Sequence, residues 1–313
     1  MESALLLKEE TQGDTLVTRL VCASLSRIQG SVMDQLFAIR EQQSKLAGQA
    51  TVHCALLYAS GWFVIWLEGS EAQVEAARIA CQRDSRNERQ IVIHRSVGPA
   101  GLSEPFSVAT TQVPVSSSAF GHRVMRVKDG KVAHSGPDAV WNYLSAPCTM
   151  TLSEQDKARP CQRVAVISAE DNGPIDVLRT LGRGVVAYQR FANAHSRSSD
   201  VGVAYVDFRA ASERVRRVVL LSRRALAHEL VRKSIASIDS LVLLLGARQT
   251  AAVELAQIVS SCLQAIPGRP VVHLVAPDEA AARPAAEVLA GAPAAAVRWL
   301  PGDDIAAFLR TSG

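Results

Sequence analysis

The side chains that could carry out catalysis are dispersed along this chain of 313 residues. No histidine stands beside a nucleophile motif, and neither G-x-S-x-G nor C-x-x-C occurs. Because structural metal sites need closely spaced ligands, the six cysteines predict no metal site. We therefore expect no catalytic residue, no metal and no enzymatic activity. Five histidines could form a catalytic set only if the fold brought them together by chance: His53, His94, His195, His228 and His273.

Arginines form the densest basic run, which extends from Arg214 to Arg224 around the expected strand at 215–222. Arginine is common at protein interfaces, so these residues are candidates for binding a partner. A solvated edge that blocks unwanted strand pairing explains the same pattern. Both interpretations stay open. The arginines concerned are Arg214, Arg216, Arg217, Arg223 and Arg224.

The composition indicates a globular protein that binds neither nucleic acids nor membranes. Hydrophobic residues make up 48% and charged residues 20%, which is ordinary for globular domains. A net charge of +4 is too small to indicate nucleic-acid binding. No apolar run approaches the roughly 18 residues of a membrane helix, and no signal peptide is visible. We expect a cytoplasmic protein with reduced cysteines.

The first part of the chain predicts a β-α-β-β-α-β order, which is the ferredoxin-like arrangement of an α+β domain. A mobile tail over 1–14 precedes this domain, which spans 15–110. Strands are expected at 16–24, 51–59, 62–68 and 90–96, with helices at 31–49 and 71–83, each capped by a serine. A further short strand is expected near 106–109.

The remaining chain predicts a linker and an α/β domain. Residues 111–162 read as a linker with two short strands, turning at 128–131, and a short helix at 138–144. Strands and helices alternate over 163–313, which favours a mostly parallel sheet. The strands are expected at 163–168, 201–208, 215–222, 240–246, 270–276 and 296–300. The helices are expected at 174–181, 225–237, 251–265, 279–290 and 303–310.

Residues 16–109 resemble BLUF domains, which are flavin-based blue-light receptors. The matching motifs are Arg19-Leu20-Val21, Ala55-Leu56-Leu57-Tyr58, Phe63 with Leu67-Glu68-Gly69, and Asp84 with Arg86. The resemblance implies a Tyr, a Gln and an Asn around the flavin. In this sequence the Tyr position falls on Cys22 and the Gln position falls on Ile65. The Asn position falls within residues 46–50, which contain no Asn, and is assigned to Ala47. The flavin is therefore expected to be lost. Trp62 and Trp66 are then either core aromatics or partner-binding residues.

Residues 163–313 resemble small Ras-like GTPases of the bacterial MglA type, mainly in strand and helix order. A P-loop GTPase needs G-x-x-x-x-G-K-[ST], whose amides and lysine hold the phosphates. The corresponding positions are Ala169, Pro174, Ile175 and Asp176. Acidic residues stand where a phosphate would bind, and Asp278 alone remains of the base-recognition motif. The resemblance thus implies a pseudo-GTPase.

Together these features favour a non-catalytic signalling adaptor that acts through protein partners. The MglA resemblance implies a place in the control of motility or surface appendages. The alternatives are a divergent sensor that binds flavin, nucleotide or another small ligand in one pocket, and a slow NTPase. No cofactor is expected, and the sequence leaves a homodimer open.

Overall fold

The computed structural model has one mixed sheet of twelve strands, flanked by helices. The residues it describes are 16–46, 51–112, 115–132, 135–146, 149–150, 161–170, 179, 181, 186–193, 201–264, 268–294, 296–301 and 305–311. The predicted tail, Ala47 and the helix predicted at 174–181, except Arg179 and Leu181, lie outside these ranges. None of the described helices is long and apolar enough to cross a membrane.

The secondary structure follows a β-α pattern in both halves. The strands are β1 Leu16–Ser26, β2 Val52–Ala59, β3 Trp62–Gly69, β4 Asn87–Pro99, β5 Phe106–Gln112, β6 Gln162–Ser168, β7 Ala187–Asn193, β8 Val201–Arg209, β9 Val215–Ser222, β10 Ser240–Leu244, β11 Val271–Ala276 and β12 Ala296–Pro301. The α-helices are α1 Val32–Leu46, α2 Glu71–Arg83, α3 Ser117–Lys128, α4 Pro137–Ser145, α5 Glu229–Ile235, α6 Gln249–Gln264, α7 Glu279–Leu289 and α8 Ile305–Thr311. A 3-10 helix, Arg223–Ala227, precedes α5.

The strand order is β12-β11-β10-β6-β9-β8-β7-β5-β2-β3-β1-β4. In the N-terminal half, β1 pairs antiparallel with β3 and β4, β3 pairs antiparallel with β2, and β2 pairs parallel with β5. In the C-terminal half, β12, β11, β10, β6 and β9 are parallel, whereas β8 and β7 are antiparallel to their neighbours. The expected mostly parallel C-terminal sheet is thus observed.

The β2–β3 hairpin fixes the register of the N-terminal strands. Ser60 (φ 50°) and Gly61 (φ 78°) both adopt left-handed backbone, as a two-residue type I′ turn requires. Alternate residues of the strands then face opposite sides. One face packs on α1 and α2, and the other belongs to the large core that includes α3 and α4.

The segment predicted to form two short strands around the turn at 128–131 is the helix α3 instead. Ser116 accepts a hydrogen bond from the Ala119 amide at 3.2 Å and so caps its start. Phe120, Val124 and Val127 follow at helical spacing, and all three are buried. The expected strands were placed from the turn residues at 128–131 alone, and the helical spacing before that turn was overlooked.

Two further elements differ from the expectations. Strand β7 was not predicted, although alternate residues Ala187, Gln189 and Phe191 are buried between β5 and β8. The single helix expected over 225–237 is divided into the 3-10 helix and α5. Its break falls at His228, whose backbone is extended (φ −84°, ψ 124°).

Strand β7 joins the two halves of the molecule. It pairs with β5 from Ser107↔Asn193 to Gln112↔Tyr188, and with β8 on its other side. The sheet therefore continues directly from the predicted N-terminal domain into the predicted C-terminal domain.

Candidate functional site

A cavity of about 330 Å³ lies between the N-terminal sheet and the helices α1 and α2. Its apolar wall comes mainly from β2, β3 and β5, including Leu56, Phe63, Ile65 and Phe106. The strand alternation explains this wall, since every second residue of β3 faces the helices. The cavity falls within the range of small-molecule sites.

Cys22 and Ile65, where the BLUF resemblance implies a Tyr and a Gln, are neighbours in this structure. Cys22 of β1 and Ile65 of β3 are directly paired across the strands. Ile65 lines the cavity, whereas Cys22 packs against Leu20 and Val74 with 1% of its surface exposed. Burial raises the pKa of the Cys22 thiol to about 12, so this thiol is not a reactive nucleophile.

An ion pair stands where the cavity meets the end of α2. The Arg86 guanidinium donates to the Asp84 carboxylate, with Nε–Oδ1 at 2.9 Å. This hydrogen bond lowers the pKa of Asp84 and raises that of Arg86. Both side chains line the cavity and neutralise each other.

Two thiols and one hydroxyl also line the cavity. Burial raises the pKa of Cys81 to about 11 and that of Cys54 well above its ordinary value. Both thiols are therefore protonated at neutral pH. Ser24 reaches the cavity from β1 and is 6% exposed. The sequence prediction overlooked Ser24, although the alternation of β1 places it on the same face as Cys22.

The two tryptophans proposed as partner contacts are core residues instead. Trp62 is 8% exposed, and its Nε1 donates to the Ser117 carbonyl of α3 at 2.9 Å. Trp66 is fully buried, and its Nε1 donates to Glu68 at 3.0 Å. Their indoles lie on the face opposite the cavity, because residues 62 and 66 alternate with residues 63 and 65.

Two buried carboxylates hold the loop between β4 and β5. Glu68 of β3 accepts from the amides of Gly101 and Leu102 at 2.6 and 2.8 Å. Burial raises the pKa of Glu68, although these two hydrogen bonds oppose that shift. A Cβ at residue 101 would lie 3.2 Å from both Glu68 and Trp66, so glycine allows this close approach.

Glu229, at the start of α5, holds the next two residues of the same loop. Its carboxylate accepts from the amides of Ser103 and Glu104 at 2.9 and 3.0 Å, and from the Ser103 hydroxyl at 3.1 Å. We call Glu68 and Glu229 the loop carboxylates. Four successive residues of the loop are thus bound to two parts of the chain far apart in sequence. This contact is not predictable from local sequence patterns, since nothing local links residue 229 to residue 103.

Of the segment that the GTPase resemblance assigns to the phosphate loop, the structure describes only residues 169 and 170. The Ala169 amide donates to the Leu244 carbonyl at 2.9 Å, so it already has a partner. Asp278 caps α7 by accepting from the Ala281 amide at 2.8 Å. Pro174, Ile175 and Asp176 lie outside the described residues.

The five arginines do not form one surface. Arg214 precedes β9 and Arg223 follows it, and the eight residues of this strand span roughly 26 Å. Arg216 is 1% exposed, and its Nε donates to Gln162 at 2.9 Å. Arg217 is bound to the buried Asp207 at 2.7 Å. Arg216 is therefore excluded as a partner contact by burial.

Arg214 and Arg224 remain exposed, and Arg223 forms an ion pair with Glu254. Arg223 and Arg224 follow the carboxyl end of β9, at the same edge as the ends of β6 and β10. Ligands of open α/β sheets bind at this edge. Within the described ranges, no three His, Cys, Asp or Glu residues are grouped to hold a metal ion.

A family model described as "BLUF: Sensors of blue-light using FAD" matches residues 17–99. Residues 17–99 are a BLUF-type domain. No curated protein matches the chain.

Solved structures similar to the chain include BLUF proteins and light-regulated enzymes. A bacterial light-regulated adenylyl cyclase is 18% identical, with 30% of this chain and 28% of that chain covered and a TM-score of 0.26. The BLUF protein BlrB in its dark state is 19% identical, with 41% of this chain and 90% of that chain covered and a TM-score of 0.27. Klebsiella pneumoniae BlrP1, in a manganese and cyclic di-GMP complex, is 12% identical, with 90% of this chain and 74% of that chain covered and a TM-score of 0.29.

The match to the light-regulated adenylyl cyclase thus spans under a third of that protein. At TM-scores this low, the structural likeness carries no inference about activity. The family match identifies a BLUF-type signalling module in the N-terminal part, and the C-terminal part lies outside that match.

Proposed function

We propose that this protein is a non-catalytic cytoplasmic regulator that acts by binding other proteins and has lost both flavin and GTP binding. The observation that carries the proposal is the Cys22–Ile65 pair in the BLUF-type domain. An isoleucine at the cavity wall can neither donate nor accept a hydrogen bond. A flavin carbonyl placed there would lose a partner, at a cost of about 1–3 kcal/mol.

The surroundings of the cavity support the loss of flavin binding. Cys22, opposite Ile65, is buried behind the wall and keeps its proton. The described side chains therefore do not supply the hydrogen-bonding pair that the BLUF resemblance requires. The protein is thus proposed to regulate without flavin photochemistry.

The C-terminal half supports the loss of GTP binding. Its strands run in the spatial order β8-β9-β6-β10-β11-β12, with only β8 reversed, an order compatible with the Ras-like resemblance. The Ala169 amide, at the first position that the resemblance assigns to the phosphate loop, donates to the Leu244 carbonyl and is not free to bind a phosphate. Asp278, the remaining base-recognition residue, is engaged as a helix cap.

The partner surface is proposed at the carboxyl edge of the C-terminal sheet. Arg224 is exposed there, beside Arg223 and its ion pair with Glu254. Arginine side chains contribute strongly when desolvated in an interface. Arg214 lies at the far end of β9 and serves as a matched control.

The first test is the visible absorption spectrum of the purified full-length protein, together with nucleotide analysis of its denatured supernatant. We expect neither a flavin band nor bound GTP or GDP. Stoichiometric flavin or nucleotide would overturn the proposal.

The second test locates the partner surface. Arg224→Glu is expected to abolish a complex identified with the wild-type protein, whereas Arg214→Glu leaves it intact. Equal binding by both variants would remove this edge from the proposal.

A further inference from the structure

A second, smaller cleft lies between α1 and the strands β5 and β7. It encloses about 30 Å³ and shares no lining residue with the cavity of about 330 Å³. Of the residues that line it, only those of α1 fall within the part of the chain that the BLUF model matches. We call it the α1–β7 cleft and define it by five of its lining residues: Met33, Phe37, Arg40, Thr110 and Arg190.

Thr110 of β5 brings an unused hydrogen-bonding group to this cleft. Its side chain is 9% exposed, and its Oγ1 has no hydrogen-bond partner among the residues that the structure describes. Buried hydroxyls are normally paired, and an unpaired one lowers the stability of the fold. A polar group that enters the cleft would satisfy this hydroxyl.

The charged side chains that line the cleft are both arginines. Arg190 lies directly opposite Thr110 in the β5–β7 pairing, so the two side chains share one face of the sheet. Arg190 is exposed, and no residue in the described ranges pairs with its guanidinium. Arg40 of α1 is 6% exposed, and its Nε donates to the Asn193 carbonyl at 2.6 Å. Two guanidinium groups without a lining carboxylate favour an anionic group.

The size of the cleft and its apolar surface restrict what this anionic group can be. One ordered water needs roughly 10–15 Å³ of such space, so about 30 Å³ admits a group of about three heavy atoms, such as a carboxylate. Phe37 is 38% exposed beside it, and Met33 is half-buried. Aromatic residues, methionine and arginine are enriched where proteins bind each other. This combination favours an acidic side chain of a protein over a free anion.

We propose that the α1–β7 cleft docks an acidic side chain of a protein partner, with an adjacent apolar residue that packs on Phe37 and Met33. The carboxylate accepts hydrogen bonds from the Thr110 hydroxyl and from the Arg190 guanidinium. The inference rests on the proposed function only in taking a protein as the occupant. It uses neither the carboxyl edge of the C-terminal sheet nor the loss of flavin and GTP.

Nuclear magnetic resonance titration of the full-length protein with two capped tripeptides tests the proposal. The peptides are acetyl-Leu-Glu-Leu-amide and acetyl-Leu-Gln-Leu-amide, which have the same shape but differ in the charge of the middle side chain. We expect the amide signals of residues 109–111 and 189–191 to shift. The Glu peptide should bind at least about fivefold more tightly, because its carboxylate forms charge-assisted hydrogen bonds that solvent weakens at the exposed Arg190.

Three variants separate binding from folding. Thr110→Val keeps the shape of the side chain but removes the unpaired hydroxyl. It should weaken binding of the Glu peptide by roughly threefold to tenfold, while the urea midpoint stays unchanged or rises. Arg190→Gln should reduce the preference for the Glu peptide to below about twofold. Arg214→Gln, which changes an exposed arginine of the β8–β9 turn, should bind both peptides like the wild type.

Equal binding of the two peptides by the wild type, or no shift at these amides with either peptide, would overturn the proposal. Binding of the Glu peptide that Thr110→Val and Arg190→Gln both leave unchanged would overturn it as well. Sodium acetate that binds at these amides as tightly as the Glu peptide would reassign the cleft to a small free anion and refute protein docking. None of these outcomes alters the absorption, nucleotide or Arg224→Glu tests, so failure of this inference and failure of the proposed function are distinguishable.

Discussion

Removal of the Glu229 carboxylate should release one half of the loop between β4 and β5. Glu229→Ala deletes three hydrogen bonds, two of them from backbone amides. Each buried donor left without a partner costs about 1–3 kcal/mol. Ser103 is exposed, so water can reach its amide, and we expect the free energy of unfolding to fall by about 2 kcal/mol.

Two further variants provide a graded comparison for this loss of free energy of unfolding. Glu229→Gln keeps one carbonyl oxygen but presents an NH₂ group to the same donors, so a loss of about 1 kcal/mol is expected. Glu254→Gln removes an acid whose side chain is 58% exposed in its ion pair with Arg223. That control should change the stability by less than about 0.5 kcal/mol.

Urea denaturation followed by circular dichroism measures these differences, and amide hydrogen exchange locates them. In Glu229→Ala, the amides of residues 103 and 104 should exchange faster. Those of residues 101 and 102 should stay protected, since Glu68 holds them. An unchanged urea midpoint with residues 103 and 104 still protected would refute the assignment of Glu229 to this loop.

Three more predictions concern other parts of the sheet. Val124→Ala should lower the free energy of unfolding by about 2 kcal/mol, measured by urea denaturation, because Val124 is fully buried in α3. Met125→Ala, at a position 36% exposed, should lower it by about 0.5 kcal/mol. Equal losses in the two variants would contradict the helix. Arg216→Ala should lower the free energy of unfolding by about 2–4 kcal/mol. Arg224→Ala, in contrast, should change the melting temperature little. Burial lowers the pKa of His273 below 6.5, so the unfolded chain takes up the proton first and stability falls as the pH drops below 6.5. His273→Leu should reduce this fall in the urea midpoint between roughly pH 8 and 5, and the part due to His228, whose pKa burial also lowers, should remain.

The N-terminal elements were predicted from the sequence because their signals are local. Residues 62–67 form a continuous apolar run of strand length, and Ser60-Gly61 marks a two-residue turn. The helix α2 was predicted with the bounds that the structure shows, Glu71–Arg83. Its serine, Ser70, precedes the helix but bonds Gln73 rather than the backbone, so the capping reason was wrong.

The contacts that shape the candidate site could not be predicted from local patterns. Ser24 looks like any strand serine until α1 and α2 are placed above it. Arg216 sits among charged neighbours in sequence, yet the pairing of β9 with β6 places it beside Gln162. Glu229 and Ser103 are separated by 126 positions, so only the fold brings them together.

The pairing of β5 with β7 limits where this chain can be cut for separate expression. A fragment that ends at residue 112 would leave the outer edge of β5 unpaired, and unpaired edges promote aggregation. It would also uncover Trp62 and Trp66, since α3 and α4 lie beyond that cut. A cut at the apparent end of the BLUF-type part would therefore leave an unpaired strand edge on each piece, and biochemical work needs the undivided polypeptide.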